Sequence, residues 1–270
     1  MGKEKVKKYV IRSFSRYRRL AADVLRLSKS NRVIRALIEV DISGVHAFLK
    51  ASRSQCGMTP SLTAFLLTAI AYAVDENKIL HAQRTIWGKL IIYDDVDIIT
   101  YIELGEEEKF PFGLIIRGAN HKSICQIHQE IEDFKQNPQP KWETGVVNKF
   151  ILLPRFLRRW LLRLVYRSPA LTKRYRGTVG VTAVGMFGTG TGWGLGAPSH
   201  TLGITIGGIG QKLSLENNQV VTREILNLTI DCDHTIIDGA PLARFVRKLR
   251  RIIENNYTEI PLMVESNPNR

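Results

Sequence analysis

Cysteine is scarce in this sequence: Cys56, Cys125 and Cys232 are the three among 270 residues. No two of them stand at Cys-x-x-Cys spacing. An odd number without a pairing pattern predicts free thiols in a reducing compartment and excludes a fold built on a disulfide framework. Also absent is any apolar run near the ~18 residues needed to cross a bilayer. The N-terminus, Met1-Gly-Lys-Glu-Lys-Val-Lys-Lys8, is basic but lacks the apolar stretch of a secretory signal. A myristoylation motif at Gly2 would want Ser or Thr where Val6 stands. A cytoplasmic protein is the expectation, with no metal. No internal repeat is present. At 270 residues the chain is long enough to bury a substantial core.

Acidic residues are few, 25 against 39 Lys and Arg, for a net charge of +14. The excess is concentrated. Residues 1–19 carry +7 and residues 149–176 carry +9 with no acid, so the rest of the chain sits near neutrality. Two basic segments of this kind suit nucleic acid, a membrane surface or a phosphate-bearing ligand. Nucleic acid is the weakest of these, because no recognised binding motif accompanies the charge and no aromatics interleave with the N-terminal basic run.

Periodicity predicts an α/β order. Residues 1–14 read as a basic arm, and a helix is expected over 15–27. A strand follows at Val33–Val40, then a helix from about Ser43 to Leu49. The next helix is expected from Thr59 as cap, with Pro60 in the first turn, to about Val74. Strands are predicted at Trp87–Ile92, Val96–Ile102 and Phe112–Ile116, and a helix at Ser123–Phe134. Residues 137–173 include a basic amphipathic helix: Arg155, Arg159, Arg163 and Arg167 recur every four residues beside Arg158, and Phe156, Trp160, Leu161 and Leu164 are assigned to the opposite side. The last third reads as strands at Val179–Val184, Leu202–Ile206 and Ile225–Cys232, a turn at Glu216–Asn218, and a helix after Gly239. Strict alternation over Leu226–Cys232 implies one buried face and places Cys232 in the core. A loose tail is expected over 261–270.

The stretch that carries chemistry is Asp231-Cys-Asp-His-Thr-Ile-Ile-Asp-Gly239. It sets His234 just past a half-buried strand, with Asp238 and Gly239 opening the helix behind it. A neutral imidazole held there can take a proton from a thiol or hydroxyl about to attack a thioester. Read from the residues alone, His234 is equally a hydrogen-bonded strand end, and Asp238 a helix N-cap.

His-x-x-x-Asp-Gly at this place resembles the signature of the 2-oxo acid dehydrogenase (dihydrolipoamide) acyltransferases and of chloramphenicol acetyltransferase. The longer form Asp233-His-Thr-Ile-Ile-Asp-Gly-Ala240 is nearer the former. Further segments agree in order: Tyr17–Ser28 resembles the family's first helix, Ile38–Asp41 its next strand, Ile115–Ile124 a strand and loop, and Thr182-Ala-Val-Gly-Met-Phe-Gly188 its Ser-Asn-Leu-Gly-Met-Phe-Gly.

The resemblance implies a chloramphenicol-acetyltransferase-like two-layer α/β sandwich over 15–260, a mixed β-sheet covered by helices. It implies an acyltransferase that moves an acyl group between a thioester, of coenzyme A or lipoyl type, and a thiol, hydroxyl or amine. His234 would be the general base. Thr182, standing where the family has serine, would hydrogen-bond the oxyanion. Asp238 would pair with Arg18 of the first helix as structural support, with Gly239 completing the motif. Coenzyme A or acyl-CoA would be a substrate, and a lipoyl group would come from another protein, because no lipoyl or subunit-binding domain precedes the first helix. A homotrimer is implied, with the histidine from one chain facing the hydroxyl of the next; the polar end of the chain argues for a trimer and not a cage. The segment 137–173 exceeds the family pattern. Its apolar face would pack on the body, lie on an anionic membrane surface or dock an acyl-carrier protein. A non-catalytic scaffold with the same fold that binds a membrane or protein partner is the alternative function.

Overall fold

A computed structural model describes residues 16–28, 32–85, 87–102, 112–137, 149–150, 152–184, 190–197, 199–255 and 259–262. The basic arm 1–14, the end of the tail and the first part of the 137–173 segment lie outside the described residues.

Helix α1 (Arg16–Ser28) leads into β1 (Val33–Asp41). Two short helices follow, α2 (Val45–Ala51) and α3 (Arg53–Cys56), and then α4 (Leu62–Asp75). A small ribbon of β2 (Gln83–Arg84) and β3 (Leu90–Ile91) precedes β4 (Ile98–Ile102) and β5 (Phe112–Ile116). Helix α5 spans Ile124–Gln136, α6 Arg155–Arg167 and α7 Pro169–Arg176. The chain ends in β6 (Val179–Ala183), β7 (Leu202–Glu216), β8 (Gln219–Asp233) and α8 (Gly239–Glu254).

The main sheet has the order β1-β8-β7-β6-β4-β5. Pairs β6–β7 and β4–β6 are parallel and the other three antiparallel, so the sheet is mixed. Its apolar face carries Val179 and Val181, Leu202 and Ile204, and Leu226, Leu228, Ile230 and Cys232, all buried. They share one core with α4, α5 and α8, into which α4 contributes Phe65, Leu66, Leu67 and Ile70, and α8 Phe245, Leu249 and Ile253. Helix α4 is buried almost throughout, which is why its sequence is apolar on every side.

Several sequence expectations are corrected. The α4 cap is Ser61, whose hydroxyl accepts from Ala64 N at 3.2 Å, and not Thr59; Pro60 lies before the cap. Of the strand expected over Trp87–Ile92, two residues pair, and Trp87 stands in solvent. Helix α6 begins at Arg155 because Pro154 cannot continue a helix. Strands β7 and β8 run far past the expected ends as a hairpin, closed by Asn217 and Asn218 at φ 49° and 61°, the left-handed pair of a tight turn. Pro261 and Leu262, expected in a loose tail, accept hydrogen bonds from Ile124 N and Cys125 N at the start of α5.

The cysteines are not all free. Cys56 and Cys125 form a disulfide, with Cα atoms 5.4 Å apart, that ties the end of α3 to the first turn of α5. Spacing could not show it, because the partners are 69 residues apart and meet only through packing. The cysteine argument for a reducing compartment therefore falls. Cys232 is a buried free thiol on the core face, as its strand parity predicts, and burial pushes its pKa up to about 12. No described helix is long and apolar enough to cross a membrane.

Candidate active site

Backbone on both sides holds the histidine. Asp233 N donates to Thr201 O at 2.9 Å and His234 N to Arg32 O at 2.7 Å, so the end of β8 is fastened to the start of β7 and to the approach of β1. The chain then turns. Ile236 N and Ile237 N both donate to Asp233 O at 3.0 Å. The Asp233 carboxylate accepts from Thr235 N at 3.0 Å and Thr235 Oγ1 at 2.8 Å. Sequence reading found no task for Asp233; the structure makes it the brace of the histidine turn, an Asx-type device that a short acidic side chain two residues before a backbone N–H provides. Ile237, buried, pins the far end of the turn in the core.

The ring of His234 is half exposed, and its Nδ1 lies 3.0 Å from Ile237 O. A carbonyl can only accept, so Nδ1 carries the proton and Nε2 keeps its lone pair. That tautomer is the one a base needs.

Asp238 occupies the N-cap position of α8, but its side chain makes no capping bond and is 86% exposed. Its Oδ1 is 3.7 Å from His234 Nδ1. The pairing with Arg18 does not form within the chain. Arg18 is exposed on α1, and α1 is drawn elsewhere. Its Asp23 is buried against α6, accepting from Arg158 Nε at 2.8 Å and Arg159 Nε at 3.0 Å, with Arg155 at 3.6 Å. Burial disfavours the Asp23 charge, but the two arginine hydrogen bonds outweigh it and hold its pKa below 3.8. Three guanidinium groups thus fix α1 on the 137–173 segment. Gly239 opens α8, with free space around it.

Thr182 and His234 are not together within one chain. Register sets Thr182 beside Thr205, and Thr205 beside Thr229. His234 lies five residues beyond Thr229, roughly 16 Å along the strands and ~10 Å across them at ordinary sheet spacings. Thr182 is on the sheet face away from the core helices, in company with buried Thr205, Asn227, Thr229 and Asp231. Residues 190–194 cross this face so closely that a Cβ on Gly207 or Gly208 would meet the carbonyl of Gly192 or Gly190.

Helix α6 is oriented differently from the sequence expectation. Arg155, Arg158 and Arg159 turn toward α1, whereas Arg163 and Arg167 stand in solvent on the same side as Phe156, Trp160 and Leu164. Phe156 is 76% and Trp160 54% exposed. The aromatic side does not pack on the body of its own chain. Arginines and apolar residues therefore share one exposed face and do not oppose each other.

Comparison with known proteins bears on this geometry. Residues 171–260 match the model of the 2-oxoacid dehydrogenases acyltransferase (catalytic domain) family. The dihydrolipoyllysine-residue acetyltransferase component of the pyruvate dehydrogenase complex of Mycoplasma genitalium is 24% identical over 205 residues, 74% of this chain and 45% of its own length. The lipoamide acyltransferase component of the branched-chain alpha-keto acid dehydrogenase complex of Bacillus subtilis is 22% identical over 226 residues, 81% of this chain and 46% of its own. The chain thus spans less than half the length of these relatives. Among solved structures, a probable dihydrolipoamide acetyltransferase of Listeria monocytogenes superposes with a TM-score of 0.67 at 20% identity, over 93% of this chain and 96% of that one. The cubic core of a pyruvate dehydrogenase multienzyme complex gives 0.72 at 17%, over 94% and 95%. The fold is that of these cores, a mixed sheet covered by helices. The family model matches the segment that holds His234 and its turn, so the C-terminal third of the chain is similar to the 2-oxoacid dehydrogenases acyltransferase catalytic domain.

Proposed function

We propose that this protein is an acyltransferase whose general base is Nε2 of His234, acting on a thioester of coenzyme A or lipoyl type. The observation that carries the reading is the Nδ1 contact to Ile237 O, which leaves Nε2 basic on a turn braced by Asp233. In the reaction, Nε2 takes the proton of the acceptor thiol, hydroxyl or amine as its S, O or N bonds to the thioester carbonyl carbon. The oxyanion so formed accepts a hydrogen bond from the Thr182 hydroxyl. Collapse breaks the carbon–sulfur bond, and the departing thiolate recovers the proton from the imidazolium. A single oxyanion donor contributes about 3–4 kcal/mol to such a step.

Because Thr182 is far from His234 in its own chain, the site is read as shared between copies, in a homotrimer. The dihydrolipoamide acetyltransferase of Azotobacter vinelandii, examined for the roles of a serine, a histidine and an asparagine in its catalytic mechanism, supports the assignment by spacing. Its serine precedes the histidine by 52 positions and its asparagine follows by 4; Thr182, His234 and Asp238 have the same separations. Asp238 then acts beside the histidine, and not as a partner of Arg18. Purified protein given a panel of acyl-CoAs and small thiol acceptors is expected to release free thiol at a rate that depends on both substrates. No turnover with any acyl-CoA or acyl-lipoamide would reject the assignment and favour the scaffold.

A membrane contact is the second part of the reading, motivated by the exposed face of α6. Aromatic and aliphatic side chains beside Arg163 and Arg167 suit an anionic interface, the rings at the acyl boundary and the guanidinium groups on headgroups. Co-sedimentation with anionic liposomes at low salt is expected for the unmodified protein, and loss of it for Trp160→Glu with Leu164→Glu. Absence of binding by the unmodified protein would assign this face to a neighbouring copy or an acyl-carrier protein.

A further inference from the structure

Beside the histidine turn lies a cavity of about 290 Å³ whose lining does not include His234. Asp233, Thr235 and Ile236 form one wall. The opposite walls come from α6 and α7, through Tyr166 and Arg176, and from His81.

Three features of this cavity lack an explanation in the fold. Arg176 is a permanent cation. Its guanidinium lies 3.8 Å from the centre of the Tyr166 ring and donates to Ser199 O, yet among the described residues no carboxylate stands within ion-pair distance of it. Tyr166 Oη is buried with no hydrogen-bond partner among the described residues. So is His81 Nε2, on a ring that is 1% exposed. Its Nδ1 is 2.9 Å from Thr178 Oγ1, whose own proton goes to Asp97 O at 3.3 Å, so Nδ1 is the donor there and Nε2 keeps its lone pair. A second histidine, His200, is committed elsewhere, with Nε2 on Arg176 O at 2.9 Å. Gly180 is required beneath it, since a Cβ there would come within 2.7 Å of His200 Nδ1. The fold thus builds a chamber that presents a planar cation without a counter-charge and one neutral donor, the Tyr166 hydroxyl, without a partner among the described residues. An unneutralised buried charge and unpaired buried polar groups are costly, and proteins retain them where a ligand completes them.

We infer that this cavity is a binding site for a small carboxylate, its oxygens on the Arg176 fork and a remaining lone pair on Tyr166 Oη. The planar guanidinium matches a carboxylate in two parallel hydrogen bonds. Arg176 and the exposed Arg84 against Asp233 leave one positive charge in the lining, which balances a monoanion better than a phosphate dianion. Tyr93 and Ile236 on the walls give a short alkyl chain apolar surface, and the volume, at the small end for ligand pockets, limits the ligand to a few carbons. Burial keeps His81 neutral, pushing its pKa down to about 4, so it adds no charge to the lining.

The experiment is calorimetric titration of the whole protein at pH 7 with the straight-chain carboxylates acetate, butyrate and hexanoate. Inorganic phosphate and chloride at matched ionic strength are the comparison arms, and thermal unfolding is followed in parallel. Saturable binding of butyrate is expected, with a rising melting temperature as mass action requires. Arg176→Gln is expected to weaken it at least tenfold. Tyr166→Phe removes only an unpartnered hydroxyl, leaves the ring under Arg176, and is expected to weaken binding about tenfold, the usual loss for a hydrogen bond to a charged group. Should Arg176→Gln fail to fold, Tyr166→Phe decides alone. A cavity that holds only water would show no saturable heat with any carboxylate, and that result overturns the proposal. Equal affinity in Tyr166→Phe, or phosphate binding more tightly than butyrate, overturns it as well. None of these measurements depends on turnover, so they stand apart from the fate of the acyltransfer reading.

Discussion

Replacing His234 with alanine is expected to lower acyl-transfer turnover by ~10²–10⁴-fold, the usual contribution of a positioned general base. The fold should persist. Asp233 N and His234 N make their bonds through backbone, and the turn is braced by the Asp233 carboxylate, so the imidazole itself supports little structure. Circular dichroism and melting temperature should match the parent while the rate falls. Thr182→Val removes the hydroxyl at nearly constant volume and should cost about 10²–10³-fold if it donates to the oxyanion. The distance between the two within a chain makes a sharper test. Mixed oligomers of His234→Ala and Thr182→Val copies should recover activity, since some interfaces then combine an intact histidine with an intact hydroxyl. Mixtures no more active than either parent would reject a site shared between copies. Unchanged turnover in His234→Ala would remove the mechanism altogether.

Loss of Asp23 is expected to be the most damaging single change to stability outside the core. Its carboxylate is 2% exposed and receives Arg158 and Arg159, with Arg155 near. Truncation to alanine leaves those guanidinium groups on α6 without this carboxylate, and breaking a buried ion pair from one side costs about 3–5 kcal/mol. Helix α1 should come away from α6, which protease sensitivity near residues 16–28 would report. The same interaction sets an acid limit. The folded pKa of Asp23 lies below its unfolded value of 3.8. Its contribution to stability is therefore complete above that value and is lost as pH falls through the folded pKa. The parent should show acid destabilisation below about pH 4 that Asp23→Asn lacks. Replacing the buried pair with apolar residues, Asp23→Leu with Arg158→Met, should cost less than Asp23→Ala, because the buried Arg158 is then not left without its carboxylate, although Arg155 and Arg159 still lose theirs. A melting temperature for Asp23→Ala within about 1 °C of the parent would show that the cluster does not hold α1.

Local patterns in the sequence specified much of the fold. Period-two alternation over Leu226–Cys232 predicted which face of β8 joins the apolar core, but its implication of a single buried face is corrected, since Asn227, Thr229 and Asp231 on the other face are buried as well. Ser123 with Gln126 three residues later forms a capping box, and the helix it opens was legible from that start and from the Asn-Pro that ends it. The motif around His234 was legible for the same reason: a strand end, an imidazole, a carboxylate and a glycine before a helix form a continuous stretch whose chemistry depends on neighbours in sequence.

What the sequence could not determine depends on residues that meet only by packing. The Cys56–Cys125 bond joins positions whose separation carries no signal. Periodicity showed that α6 is amphipathic, but it could not say which side turns inward. One buried carboxylate on α1 reversed the expectation, since hydrogen bonds from Arg158 and Arg159 to Asp23 outweighed the burial of Phe156 and Trp160. The resemblance assigned Arg18 to Asp238 for want of knowing where α1 would dock. The chamber around Arg176 combines residues from four separate stretches, 81–93, 166–178, 199–201 and 233–236, of which only the last belongs to a motif that the sequence marks. The sequence determined the faces of its elements and the chemistry of its histidine turn, because those follow from contacts a few residues apart. The tertiary structure alone decided which charges are buried, which apolar face is left to solvent and which cation has no counter-charge, because each depends on the low-dielectric surroundings that distant segments create together.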